Sequence, residues 1–187
     1  MKLLLEKITE CGVDRIVQVV TQNTQANNIM KTMDNNNNND DDNDNNITRM
    51  IIESCEQCER LDIPILDFSP LKVSALLERF ANENNGNILF VCRERQNGGI
   101  PFLAALSDHL LEGEGKGAGS LKCKDVHMLI GPEGGFTDDE YALIDSKYSH
   151  VVKYVSLNNE NVLRAETAAV AAVAIAKQFL DYSKSMY

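Results

Sequence analysis

Hydrophobic residues along this chain alternate between a helical spacing and short continuous runs. The helical spacing predicts helices at residues 1–11, 47–61, 70–83, 137–146 and 163–181. Apolar runs typical of buried strands lie at residues 13–20, 88–92, 126–130 and 151–155. A further short apolar segment follows Pro64, and the apolar stretch 100–111 fits either structure. Because strand-like runs are separated by helical ones, we expect an α/β fold with a mainly parallel sheet flanked by helices.

Two segments lack this patterning. Residues 24–46 contain runs of Asn and Asp and too few apolar side chains to offset the entropy cost of ordering. We expect a disordered insertion there. Residues 112–120 contain four glycines, which predict a flexible loop. The remainder of residues 1–187 is expected to form a single domain.

The charge balance limits the kinds of partner. The net charge of −10 argues against tight nucleic-acid binding by this chain alone, because phosphate binding needs a cationic surface. Any RNA substrate would require a local patch, a second subunit or a further module. Several scattered basic residues are candidates for such a patch, but we favour the interpretation of each as a solvated surface charge. They include Lys2, Lys7, Arg15, Arg49, Arg60, Arg93 and Arg95.

Cysteine usage and hydropathy bear on the compartment. The five cysteines fit reduced thiols in an intracellular protein, either cytoplasmic or organellar. No secretory signal pattern and no apolar run of about 18 residues is present, so we expect no membrane association. Cys55 and Cys58 lack a second ligand pair at zinc spacing, which favours core-facing thiols over metal ligands. No metal site is expected.

Residues 131–135, Gly-Pro-Glu-Gly-Gly, are the first strong chemical signal and are called the glycine loop below. They follow a predicted buried strand and precede a predicted helix. Glycine permits close approach and positive φ, so such a loop exposes backbone N–H and C=O groups to a ligand. In open α/β sheets, ligands bind at this end of a strand. The loop lacks the Lys-Ser/Thr of a nucleotide-triphosphate loop and the glycine spacing of a dinucleotide fingerprint, so neither ligand is favoured.

The second signal is at residues 162–168, Val-Leu-Arg-Ala-Glu-Thr-Ala. Arg164 and Glu166 stand at the start of an alanine-rich helix, where free N–H groups and the positive end of the dipole face outward. Alanine-rich helices suit very close packing. We therefore expect Arg164 at the rim of whatever the glycine loop binds.

At these residues the chain resembles the SPOUT class of knotted methyltransferases. It is similar in particular to the RsmE-type family, which methylates N3 of a uridine in small-subunit ribosomal RNA using S-adenosylmethionine. The matching segments are residues 129–137 with Glu140, then 155–157 and 162–168, and residues 6–16 and 56–60 corroborate them.

The resemblance implies a C-terminal trefoil knot, S-adenosyl-L-methionine as cofactor and a homodimer with the pocket near the subunit contact. It implies ribosomal RNA or the small ribosomal subunit as partner, and we expect the family's N-terminal RNA-binding domain to be missing here. Three segments would hold the cofactor: the exit of strand 88–92, the glycine loop and residues 157–164. The implied cofactor contacts are Gly131, Pro132, Glu133, Gly134, Gly135, Leu157, Asn158, Leu163 and Arg164.

Arg164 and Glu133 are the candidate catalytic residues. Arg164 would stabilise negative charge on a deprotonated base or orient a phosphate, and Glu133 would accept a proton or organise the loop. The alternative hypothesis is a catalytically silent knotted domain that binds RNA or a protein partner. An enzyme of the same fold acting on another RNA position also remains open.

Overall fold

Helices separate most of the strands, and in the part of the chain that the structure describes every strand pairing is parallel. The computed structural model describes residues 2–24, 40–83, 87–93, 99–110, 125–157 and 160–185. Its elements are α1 Lys2–Glu10, β1 Arg15–Val20, α2 Asp40–Gln57, β2 Ile65–Lys72, α3 Val73–Asn82, β3 Leu89–Cys92, β4 Ile100–Pro101, α4 Phe102–Leu110, β5 His127–Leu129, α5 Asp138–Leu143, β6 Val152–Ser156 and α6 Ala165–Ser185. The predicted α/β class is confirmed, and the trefoil knot stays a prediction.

The larger sheet has four strands in the order β4, β6, β3, β5, and β1 pairs with β2 in a second sheet. All four residues of the central strand β3 are buried. Successive side chains of a strand point to opposite faces, so β3 feeds two cores. Phe90 and Cys92 pack on one face with residues of α4 and α6. Leu89 and Val91 pack on the other with residues of α3 and with Phe136 and Ile144.

This packing places the candidate site at one edge of the larger sheet. Val91 of β3 is in register with Leu129 of β5 and with Tyr154 of β6. Parallel strands in register end at the same edge, so the residues after β3, β5 and β6 emerge side by side. The two strongest sequence signals both follow these strands.

The boundary between β2 and α3 differs from the prediction. We expected a helix from residue 70, but Pro70 to Lys72 belong to β2 and the helix begins at Val73. Leu71 pairs with Val19, after a register irregularity between Val17 and Val19. Proline donates no N–H to a ladder and is tolerated at such irregularities, which explains why Pro70 does not end the strand.

The expected disorder of residues 24–46 was wrong at its C-terminal end. Helix α2 begins at Asp40, seven residues before the predicted Ile47. Residues 25–39 and the predicted glycine-rich loop at 112–120 lie outside the described residues.

Two side chains near the end of α2 also differ from expectation. Cys55 is buried as predicted, but Cys58 is exposed, so only one of the two thiols faces the core. Arg60 was interpreted as a solvated surface charge, and this was wrong, because only 11% of its side chain is exposed. In the described part of the chain, no helix combines the length and apolarity needed to cross a membrane.

Candidate functional site

A cleft of about 770 Å³ opens where β3 and β5 end and α6 begins. Three chain segments form its wall: the end of β3, the chain from β5 into α5, and the start of α6. The lining residues are Cys92, Arg93, Ile130, Gly131, Pro132, Glu133, Gly134, Gly135, Phe136, Asp138, Tyr141, Val162, Leu163, Arg164, Ala165 and Ala168. The glycine loop and the Arg164 segment, separated along the sequence, therefore face one cavity, as the sequence predicts.

The glycine loop is a tight turn supported by the protein below it. The N–H of Gly135 donates to the carbonyl of Pro132 at 2.8 Å, and Gly135 has φ +70°, which is strained for residues with a side chain. A Cβ on Gly131 would stand 3.1 Å from the ring of Phe136, which is buried. Glu133 and Gly134 are exposed on the loop.

A buried carboxylate fixes the junction between the glycine loop and α5. Glu140 is only 6% exposed and accepts from the N–H of Thr137 at 2.9 Å and from the N–H of Gln22 at 3.0 Å. The N–H of Glu140 donates to Thr137 Oγ1 at 3.3 Å, which completes a capping box. The start of α5 is thus tied to Gln22, which lies two residues after β1, a strand of the smaller sheet.

Asn23 holds the loop itself. Its side-chain Nδ2 donates to the carbonyls of Gly134 at 3.2 Å and Gly135 at 3.1 Å. Thr137 Oγ1 adds a bond of 3.1 Å to the side-chain oxygen of Gln22. Sequence reasoning missed Gln22 and Asn23, because nothing in the local pattern relates the end of β1 to a loop more than 100 residues away.

Arg93, at the exit of β3, packs against two neighbouring tyrosine rings. Its guanidinium carbon lies 4.4 Å from the centre of the Tyr141 ring and 4.8 Å from that of Tyr154. Such cation–π contacts stabilise a partly desolvated arginine. Interpreting Arg93 as a solvated surface charge was therefore wrong. It is a fixed cation in the cleft wall.

The tyrosines are themselves held in place. The Tyr154 hydroxyl donates to Asp145 Oδ1 at 2.8 Å. Burial raises the pKa of Tyr141, and burial together with the Asp145 hydrogen bond raises that of Tyr154, so both phenols stay neutral at physiological pH. The two rings meet edge to face, 5.8 Å between centroids.

Arg164 is exposed at the mouth of the cleft, just before α6. Its carbonyl accepts from the N–H of Ala168 at 2.8 Å, which starts the helical ladder. The free N–H groups of the first turn belong to Ala165, Glu166 and Thr167, and Ala165 lines the cleft. The cleft thus combines two arginines with the carboxylates of Glu133 and Asp138 and the positive end of a helix dipole.

Most of the predicted cofactor contacts share this cleft. Gly131, Pro132, Glu133, Gly134, Gly135, Leu163 and Arg164 all line it. Leu157 does not. It packs against the core that α4 and α6 share with the sheet, and its contact with a cofactor stays a prediction. Asn158 lies outside the described residues. Among the residues that the structure describes, no group of three or more His, Cys, Asp or Glu side chains could hold a metal ion.

The solved structures that this chain resembles share its fold. A methyltransferase from Legionella pneumophila, solved in complex with the bound cofactor SAM, is 26% identical, with a TM-score of 0.63 over 95% of this chain and 60% of that one. Ribosomal RNA small subunit methyltransferase E from Neisseria gonorrhoeae, bound to S-adenosyl methionine, is 19% identical, with a TM-score of 0.62 over the same shares.

Sequence comparison identifies the family. Ribosomal RNA small subunit methyltransferase E from Rickettsia conorii is 29% identical over 174 residues, or 93% of this chain and 57% of that protein. The chain therefore spans less than two thirds of the relative's length. A family model described as an RNA methyltransferase domain matches residues 1–177. The chain belongs to this family of RNA methyltransferase domains, as its resemblance to RsmE-type enzymes predicts.

Proposed function

We propose that this protein is an S-adenosylmethionine-dependent methyltransferase that methylates N3 of a uridine in small-subunit ribosomal RNA. The observation that carries the proposal is the common cleft of the glycine loop and Arg164, at the strand ends where parallel α/β sheets bind ligands. The relatives bound to S-adenosylmethionine have the same fold.

The residues of the cleft suit this cofactor. A volume of about 770 Å³ lies within the range of small-molecule sites, and the glycine loop offers backbone groups without side chains in the way. When bound, S-adenosylmethionine supplies a methyl group activated by a sulfonium. Glu133 and Asp138 would complement its positive charges, and Arg93, Arg164 and the start of α6 its carboxylate.

The chemistry requires a base with its pairing edge exposed. Uridine N3 lies on that edge, so the nucleotide must be unpaired or flipped out. Exposed at the mouth of the cleft, Arg164 is placed to stabilise negative charge on the base as N3 loses its proton. Glu133 is exposed on the facing loop, where it would accept that proton or organise the loop.

We further propose a homodimer, with ribosomal RNA or the small ribosomal subunit as substrate. Large apolar side chains are exposed at two places: Val162 by 58% on the cleft wall, and Ile100 by 37% and Leu103 by 58% where β4 leads into α4. A second copy would cover them. The net charge of −10 means that RNA affinity must come largely from a second subunit or another RNA-binding unit.

A ribosomal RNA substrate supports an intracellular site of action, in the cytoplasm or an organelle, and we include that location in the proposal. Three cysteines of the described residues, Cys11, Cys55 and Cys58, are free thiols, which fits a reducing compartment.

Replacing Arg164 tests the proposed chemistry. With the cofactor saturating and small-subunit ribosomal RNA as acceptor, we expect Arg164→Ala to lower kcat by about 10²- to 10³-fold, the usual loss when one charge-stabilising group is removed. Arg49→Ala removes an exposed arginine on α2 and serves as the control, with kcat unchanged. Full methylation by Arg164→Ala would remove the role assigned to this residue.

Calorimetry with S-adenosylmethionine tests the proposal as a whole. A binding heat with the wild-type chain and none with an excess of NAD is the expected result. The absence of binding at millimolar cofactor would favour the alternative, a catalytically silent domain that binds RNA or a protein partner.

A further inference from the structure

We infer that Asn23 is a positioning residue that sets the cofactor affinity of the cleft by holding the glycine loop in its binding shape. The inference rests on the proposed function and goes beyond it, because Asn23 is not part of the cleft wall. It lies after the end of β1, a strand of the smaller sheet, and its side chain contacts the loop.

The contact uses one side chain to grip two consecutive peptide groups. Nδ2 of Asn23 lies 3.2 Å from the carbonyl oxygen of Gly134 and 3.1 Å from that of Gly135. An amide nitrogen carries two hydrogens, so both bonds form at once. The approach is close: a Cβ on Gly134 would stand 3.0 Å from Cβ of Asn23. The close approach of Asn23 therefore favours glycine at residue 134, in addition to any preference of the turn itself.

Fixing the two carbonyls also fixes the N–H groups of the same peptides. A trans peptide is planar, so the N–H of Phe136, a residue of the cleft wall, points opposite the Gly135 carbonyl, and the N–H of Gly135, which closes the turn on Pro132, points opposite the Gly134 carbonyl. Two neighbouring glycines would otherwise have more backbone freedom than any other pair of residues. The Asn23 bonds remove that freedom before the ligand arrives, and preorganisation of this kind raises affinity.

The fold does not depend on Asn23. Gln22 and Glu140 still tie the end of β1 to α5, and the Gly135 N–H still closes the turn on Pro132. The Asn23 contacts are exposed to solvent. Loss of its side chain should therefore loosen the glycine loop without unfolding the protein.

Two substitutions test this inference. We expect Asn23→Ala to raise the Kd for S-adenosylmethionine about tenfold, the effect of losing roughly one to two net hydrogen bonds. Asn23→Asp should raise it further, because a carboxylate cannot donate and would face two carbonyl oxygens. The cofactor KM should rise in parallel, while kcat with saturating cofactor and small-subunit ribosomal RNA stays within about twofold of wild type.

The control is Asn82→Asp, which makes the same charge change at the end of α3 and should leave Kd unchanged. Calorimetry gives Kd, and a thermal melt shows whether the fold is intact. An unaltered Kd in both Asn23 variants, with wild-type binding intact, would overturn the inference alone. A parallel loss of kcat and melting temperature would also overturn it, since that marks a purely structural residue. If wild type fails to bind, the proposed function falls, and this inference falls with it.

Discussion

Gly99 and Gly135 lack side chains for different physical reasons. A Cβ on Gly99 would stand 2.8 Å from the backbone nitrogen of Ser156 and from the carbonyl carbon of Val155, so β6 itself is in the way. A Cβ on Gly135 would meet nothing within 4 Å, but its φ of +70° disfavours other residues. Packing against β6 excludes a side chain at Gly99, whereas at Gly135 the backbone conformation alone disfavours one.

We therefore expect Gly99→Ala to be the more damaging change. It should lower the free energy of unfolding by about 3 kcal/mol or more, because a paired strand cannot move aside. Gly135→Ala should cost about 1–2 kcal/mol, the strain of one left-handed residue. Urea denaturation of both variants measures the difference. Equal losses would mean that the chain at Gly99 can shift away from β6.

At the level of elements, Arg60 joins α1, α2 and the turn into β1. Its Nη1 donates to the carbonyl of Val13 at 2.6 Å and to that of Thr9, in the last turn of α1, at 3.3 Å. Nη2 pairs with Asp62 at 2.8 Å and Asp14 at 3.3 Å. The Arg60 guanidinium lowers the pKa of Asp62. One side chain with little exposure therefore bonds a carbonyl in the last turn of α1 and a carbonyl of the turn that follows it.

Removing the charge of Arg60 should weaken the contacts that join α1, α2 and the turn into β1, and so lower the stability of the protein. We expect Arg60→Met to lower the free energy of unfolding by about 3 kcal/mol, since it removes the charged hydrogen bonds to the Val13 and Thr9 carbonyls together with the ion pairs to Asp62 and Asp14. Arg49→Met breaks only an exposed pair with Glu53 in α2 and should change stability by less than about 0.5 kcal/mol. Chemical denaturation of both variants is the measurement. Similar losses would show that the Arg60 network contributes no more than a surface ion pair.

The periodicity of the sequence is sufficient to find the elements but not their ends. The sequence predicts β3 and β5 because short apolar runs between turn residues are typical of buried strands. The end of β2 is missed because Pro70 resembles a helix start until pairing with β1 is known. The π-helical turn over Ile144–Tyr148, which follows α5, leaves no trace in the hydrophobic pattern.

For the whole molecule, the sequence predicts those parts of the site that lie within one segment. The glycine loop and Arg164 stand out because each has its distinctive residues side by side. The cation–π contacts of Arg93 depend on Tyr141 and Tyr154, which come from two other elements. The grip of Asn23 on the glycine loop spans 111 residues. Contacts of this kind follow from sheet register and helix packing, which a single sequence does not specify.

His127 makes the stability of the whole molecule sensitive to pH. It stands on β5 with its ring edge to face with Phe80 of α3, 5.1 Å between centroids. Its Nε2 is buried, with no hydrogen-bond partner among the described residues. Burial lowers the pKa of His127, Asp125 partly opposes this, and Arg15 adds to it. The folded protein therefore favours the neutral ring.

The consequence is a loss of stability on the acid side. Because the folded pKa lies below the ordinary 6.5, the unfolded chain binds this proton more readily. The contribution is fully present above that value and is lost as the pH falls below it toward the folded pKa. We expect the free energy of unfolding to fall more steeply from about pH 7 to about pH 5 in wild type than in His127→Gln. His150→Gln, which removes an exposed histidine from a turn, is the matched control. Urea titrations across this range measure the slopes, and parallel lines for wild type and His127→Gln would contradict the assignment. A shallower pH slope of the free energy of unfolding in His127→Gln, but not in His150→Gln, would mean that the packing of α3 on β5 requires a neutral ring at residue 127.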